Sequence, residues 1–277
     1  MESQLRDAYK VFRAASETQL TLSSAAEWLL DNFYVVQRGL RQIREDMPRA
    51  FYHQLPKREG RPRILDLTRE MVRGTEGPLD LDWIRRCVDQ HQRRSPLTMG
   101  ELWALPAMLR LSVLERLTEA ATRLTSPQVD GVPRDEPPMP DDAAVANAIL
   151  CLRMLATRDW KAFFESVSEV EEVLRRDPAG TYGDMDFETR DQYRKVVEAL
   201  ATATGRAEPE VARAAVGLAQ DAPANGDGSA RRTHVGCYLV DRGRSQLGSA
   251  IAPPGRCAGG GGSHDAPSCC ISAASPC

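Results

Sequence analysis

Lysine is scarce in this chain: of 36 basic residues only Lys10, Lys57, Lys161 and Lys195 are lysines, so arginine carries nearly all the positive charge. That bias reads first as the base composition of a genome. Charge of one sign is not in excess either. The formal net charge is −3 and the isoelectric point is near 5.9, which excludes wholesale nucleic-acid binding, since that calls for a basic stripe or a domain pI above about 9. No apolar run reaches the roughly 18 residues that cross a bilayer, and the closest, 143–156, is interrupted by Asn147 and Arg153. Residues 1–16 are charged and amphipathic where a secretory leader would be apolar, so a cytoplasmic location is expected. Phosphate loops of the G-x-x-x-x-G-K-S type and nucleophile elbows of the G-x-S-x-G type are missing. The four histidines include no i, i+4 pair for a metal, and His53, His91 and His234 each stand alone.

What is present is globular. With 277 residues, 42% hydrophobic and 27% charged, the chain can bury a sizeable core in one large domain or two ordinary ones. Helical periodicity dominates. A continuous helix is predicted over 24–46, with Leu29, Phe33, Val36, Leu40 and Ile43 on one face and a Ser24–Glu27 capping box at its start. A second box, Thr98–Glu101, opens the most apolar helix, 102–124, which apolar residues wrap almost completely and which is therefore expected at the centre; Pro106 falls near its first turn. Further helices are predicted over 2–16, 62–73, from Asp80 past Val88, and over 142–157, 160–175, 186–203 and 209–219. No β-hairpin signal stands out before residue 222. The predicted class is all-α, a multi-helix bundle or array in two packed helical subdomains, 1–126 and 142–222. The Pro/Asp-rich stretch 127–141 is expected to link them, and a mostly disordered tail, 223–277, to follow with a short ordered patch near 233–244.

Catalytic, cofactor and metal residues are all predicted to be none. Glu101, Asp159 and Asp186 sit where helix capping explains them, including the DxD-like Asp184-Met185-Asp186. Trp28, Trp103, Phe163 and Phe164 have the right chemistry to stack on sugars, but their helical spacing beside leucines reads as core. Cys87 and Cys151 read as small buried side chains. A zinc set of Cys257, His264, Cys269 and Cys270 lacks a paired C-x-x-C spacing, and an unstructured tail is the simpler reading. Arg85, Arg86, Arg93 and Arg94 cluster near a helix end, which reads as a solvated face or as a contact for anionic lipid head groups.

Eight stretches carry a resemblance that composition does not. In order they are AEWLLDNF (26–33), LRQIREDMP (40–48), QLPK (54–57), PLTMGELWALPAMLR (96–110), VANAILCLR (145–153), DWKAFFESVSEVEEVLRRDPAG (159–180), MDFETRDQYR (185–194) and HVGCYLVDRGR (234–244). Together they resemble the amino-terminal region of bacterial cyclic β-1,2-glucan synthases, large inner-membrane proteins of glycosyltransferase family 84 and phosphorylase family 94. The resemblance implies a helical region that precedes membrane helices, a transferase domain using UDP-glucose, and a phosphorylase-like part. Its expected partner is the remainder of the synthase. No catalytic residue carries over, because the family's catalytic motifs lie outside these stretches, and whether this chain catalyses anything alone stays open. Two alternatives remain: an independent helical module that binds a protein or an anionic membrane, and a small glycan-active enzyme. Past Arg244 the resemblance gives way to Gly, Ser, Pro and Cys, read as a shifted frame or truncated gene; genomic sequence with an intact frame and no membrane helix would refute that.

Overall fold

A computed structural model describes residues 1–125, 141–222 and 229–252. The amino-terminal half contains α1 (Glu2–Glu17), α2 (Ser24–Asp31), α3 (Phe33–Asp46), α4 (Arg49–Gln54) and a hairpin of β1 (Lys57–Arg58) and β2 (Arg61–Pro62). It continues with α5 (Arg63–Arg73), α6 (Leu81–Gln92), α7 (Met99–Thr125) and α8 (Asp141–Thr157). Then follow α9 (Trp160–Val167), α10 (Glu169–Leu174), α11 (Thr181–Asp184), α12 (Phe187–Thr204) and α13 (Glu208–Gln220). The short α14 (Ser229–Arg232), α15 (Gly236–Leu239) and α16 (Arg244–Ile251) come last. The class is all-α, as predicted.

The apolar helix is central. Leu105, Leu109, Leu114 and Leu117 of α7 have no exposed surface, and α1, α3, α5, α8 and α9 all pack against it. Its capping box forms as written: the Glu101 N–H donates to Thr98 Oγ1 at 3.2 Å, and the Thr98 N–H donates to Glu101 Oε2 at 2.9 Å. Pro106 lies seven residues after Met99, deeper than the first turn, and α7 continues through it. The ring removes one N–H from the ladder, a loss that close packing on every side offsets.

Two predicted helices are each broken by one polar residue. Asn32 interrupts 24–46: its Nδ2 donates to the Trp28 carbonyl at 2.8 Å and its Oδ1 accepts from Arg153 at 2.5 Å, so a short amide competes with the helical backbone. The cap sits one residue earlier than predicted, at Ser23, whose side chain accepts the Ala26 N–H. Ser168 likewise divides 160–175 by capping α10. The stripe itself holds across both breaks, since Leu29, Phe33, Val36, Leu40, Phe163, Phe164, Val167, Val170 and Leu174 are buried.

Three further differences concern boundaries. The hairpin is unforeseen because its strands are two residues long, too short to alternate; Glu59 and Gly60 make the turn with φ of 52° and 81°. Helix α8 packs on α7, α2 and α3, and so joins the helices before the 127–141 stretch, while α10, α12, α13, α15 and α16 gather on one another. Finally, residues 245–252 pack too, although they fall in the stretch of the 223–277 tail predicted to be disordered beyond the 233–244 patch. Leu247 and Ile251, four apart on one face of α16, are buried against α13 and α15, and Arg206 Nε donates to the Ile251 carbonyl at 2.7 Å. The linker prolines, Gly259 to Gly262, and the Cys257, His264, Cys269 and Cys270 set lie outside the described residues.

Candidate functional site

Most acids that a sequence reading could nominate for chemistry are occupied by the fold. Asp159 Oδ1 accepts the Lys161 and Ala162 N–H groups at the start of α9. Asp186 accepts the Thr189 N–H at 2.7 Å, and that bond first, then the Thr189 hydroxyl, holds its carboxyl below the usual range. Glu101, besides its cap, takes a bidentate pair from Arg63 at 2.6 and 2.7 Å. The aromatics divide: Phe163 and Phe164 are core, Trp103 stacks on Phe164 at 4.5 Å, and Trp28 is 41% exposed. Cys151 is buried and accepts the Leu79 N–H at 3.1 Å; burial pushes up its thiol and that of half-buried Cys87.

The segments 159–180, 185–194 and 234–244, far apart in sequence, converge in space. Glu171, with no exposed surface, accepts from Tyr182 Oη at 2.7 Å and from Arg194 Nη1 at 2.7 Å. Glu165 takes Arg190 at 2.8 and 2.9 Å and Arg194 at 3.1 Å. Arg194, 1% exposed, also lies over the Phe187 and Phe164 rings at 4.7 and 5.2 Å. Burial and the adjacent carboxylate hold the Tyr182 phenol up, so it remains a donor. Such a network fixes geometry: guanidinium-paired carboxylates sealed from solvent are poorly placed to exchange protons with a substrate.

Beside it, Asp177 Oδ2 lies 2.7 Å from His234 Nδ1, and Asp177 also accepts the Val235 and Tyr182 N–H groups. His234 Nε2 is 3.4 Å from Tyr193 Oη. Burial opposes ionisation of Asp177, but the His234 bond and the two N–H groups win and lower its pKa. His234, read from sequence as a lone structural histidine, is thus a tether for 234–244, through a partner, Asp177, that its sequence position did not reveal. Gly236 permits the close approach, for a Cβ there would meet Tyr193 Oη at 2.5 Å and His234 Nε2 at 2.7 Å. Gly236→Ala is expected to part this pair and cost about 1–3 kcal/mol, measured by urea unfolding.

One titratable group escaped the sequence reading. Glu208, 8% exposed, accepts the Met99 N–H at 2.8 Å and so joins the starts of α13 and α7. Burial, followed by the Glu198 and Glu101 carboxylates, raises its pKa to about 7 against that N–H. The folded state therefore binds this proton more tightly than the unfolded chain, and the associated stability is present below the unfolded pKa and lost as pH rises through about 7. The melting temperature of Glu208→Gln is expected to fall less than that of the parent between about pH 5 and 8.

The surface offers two open regions with ligand chemistry. A groove of about 560 Å³ lies over α5 and α7, lined in part by Gln4, Arg73, Thr118 and Thr122; its Arg69 and Arg123 are already paired with Glu115 and Asp141. A niche of about 410 Å³ is lined by Arg86, Asp89, Gln90, Arg93 and Arg94, at the C-terminal end of α6 and in the turn just past it. Arg85, Arg86, Arg93 and Arg94 are exposed and, among the described residues, none is in an ion pair. Among the described residues, no helix is long and apolar enough to cross a membrane.

No family model matches the chain. Its sequence is similar to the cyclic beta-(1,2)-glucan synthase NdvB of Rhizobium meliloti (strain 1021), 26% identical over 328 residues. That alignment covers 90% of this chain and 12% of the longer protein. Over nearly its whole length, this helical chain is thus similar to a small part of a cyclic β-1,2-glucan synthase.

Proposed function

We propose that the chain is the amino-terminal helical region of a cyclic β-1,2-glucan synthase, a non-catalytic scaffold that acts on the transferase and membrane parts of that protein. The parent activity would be glucosyl transfer from UDP-glucose to build the cyclic glucan, with this region on the cytoplasmic side of the inner membrane. The observation that carries the reading is the similarity across 90% of the chain to only 12% of the synthase. Supporting it, Glu101, Glu165, Glu171 and Asp186 are each engaged in capping or guanidinium pairs. The test is incubation of the purified chain with radiolabelled UDP-glucose. No labelled glucan is expected, and glucan made by the chain alone would refute the non-catalytic reading.

A further inference from the structure

The arginine cluster at the end of α6 does not stand alone. The hairpin that precedes α5 is tied to the segment that follows α6: Arg63 Nη1 donates to Ser95 Oγ at 2.6 Å and its Nη2 to the Pro96 carbonyl at 2.6 Å. Arg61 is two residues before Arg63, and Arg94 one residue before Ser95, so this anchor brings the base of the hairpin to the segment after α6, with Lys57, Arg58 and Arg61 exposed on the hairpin. Over 57–62 and 80–94, four carboxylates, Glu59, Asp80, Asp82 and Asp89, stand against seven cations, in a chain whose net charge is −3.

Arg63, Arg69, Arg123, Arg190 and Arg194 each reach a carboxylate. Arg58, Arg61, Arg85, Arg93 and Arg94 reach none among the described residues, and Arg86 touches only the Trp83 ring, 5.8 Å away. Exposed arginines without a carboxylate partner also occur elsewhere among the described residues, at Arg38, Arg41, Arg49, Arg73, Arg158 and Arg213; what marks this region is their density over 85–94. We propose that the hairpin and α6 together form a face that docks on the phosphate groups of an anionic lipid surface. The cations are exposed and spread over the end of α6, the turn after it and the hairpin, which suits a plane of head groups; a single small diphosphate would need donors converging on one enclosed point. This inference stands independently of the proposed scaffold role.

The test is co-flotation of the full chain with phosphatidylcholine vesicles, with and without phosphatidylglycerol, together with titration by inorganic pyrophosphate. Flotation is expected only with phosphatidylglycerol, weakening as salt is raised. Arg58→Gln/Arg61→Gln and Arg93→Gln/Arg94→Gln should each lower vesicle affinity about thirtyfold while leaving circular dichroism unchanged. Flotation that ignores lipid charge, or that survives both double substitutions, would overturn the proposal. So would saturable pyrophosphate binding without flotation, or a duplex oligonucleotide that binds the same face more tightly than vesicles do.

Discussion

Replacing Glu171 with alanine is expected to cost about 3–5 kcal/mol of folding stability, seen as a large fall in the urea midpoint. The carboxylate has no exposed surface and serves Tyr182, Arg194 and, in an ion pair at 2.9 Å, Arg175. Removing it leaves the Arg194 guanidinium 1% exposed with Glu165, 3.1 Å away, as its main remaining acceptor, and strands a buried phenol. The neighbouring Glu172 provides the control. Its pair with Arg176 is an exposed i, i+4 contact, so Glu172→Ala should change stability by less than about 1 kcal/mol. Equal effects at the two positions would show that the network contributes nothing beyond surface charge.

Truncating Leu109 in the middle of α7 should be comparably severe, at about 2–5 kcal/mol, because deleting a fully buried leucine side chain loses its transfer energy and leaves a cavity. Leu20, 64% exposed in the turn after α1, should tolerate alanine within about 0.5 kcal/mol. The pair of urea midpoints tests whether α7 organises the bundle. A mild Leu109→Ala would mean that the helices around α7 hold together without it.

Much of this architecture is written in local patterns. The stripe from Leu29 to Leu40 and the Thr98–Glu101 box are both realised, since spacing and capping chemistry are properties of the local chain. What escaped depends on partners distant in sequence. Asn32 breaks a helix because Arg153 reaches its carboxamide, and Glu101 is more than a cap because Arg63, 38 residues earlier, closes on it. Asp177 and His234, 57 residues apart, look unrelated until the fold brings them to 2.7 Å. Glu208 is an ordinary first-turn acid in sequence, and only burial beside Met99 and two other carboxylates gives it a pKa near 7. The hairpin shows the opposite limit: its Glu59-Gly60 turn is local, but two-residue strands carry no period to detect.

The scaffold reading makes the rest of the synthase this region's partner, a relation that stability measurements do not reach. Its most direct test is a cyclic glucan synthase from which the region similar to this chain has been deleted, assayed for cyclic β-1,2-glucan with and without the chain supplied separately. The account predicts that the deletion depresses glucan formation and that the added chain restores part of it while binding the truncated synthase. A truncated synthase that makes glucan at the full rate, or one that neither binds nor responds to the chain, would contradict it.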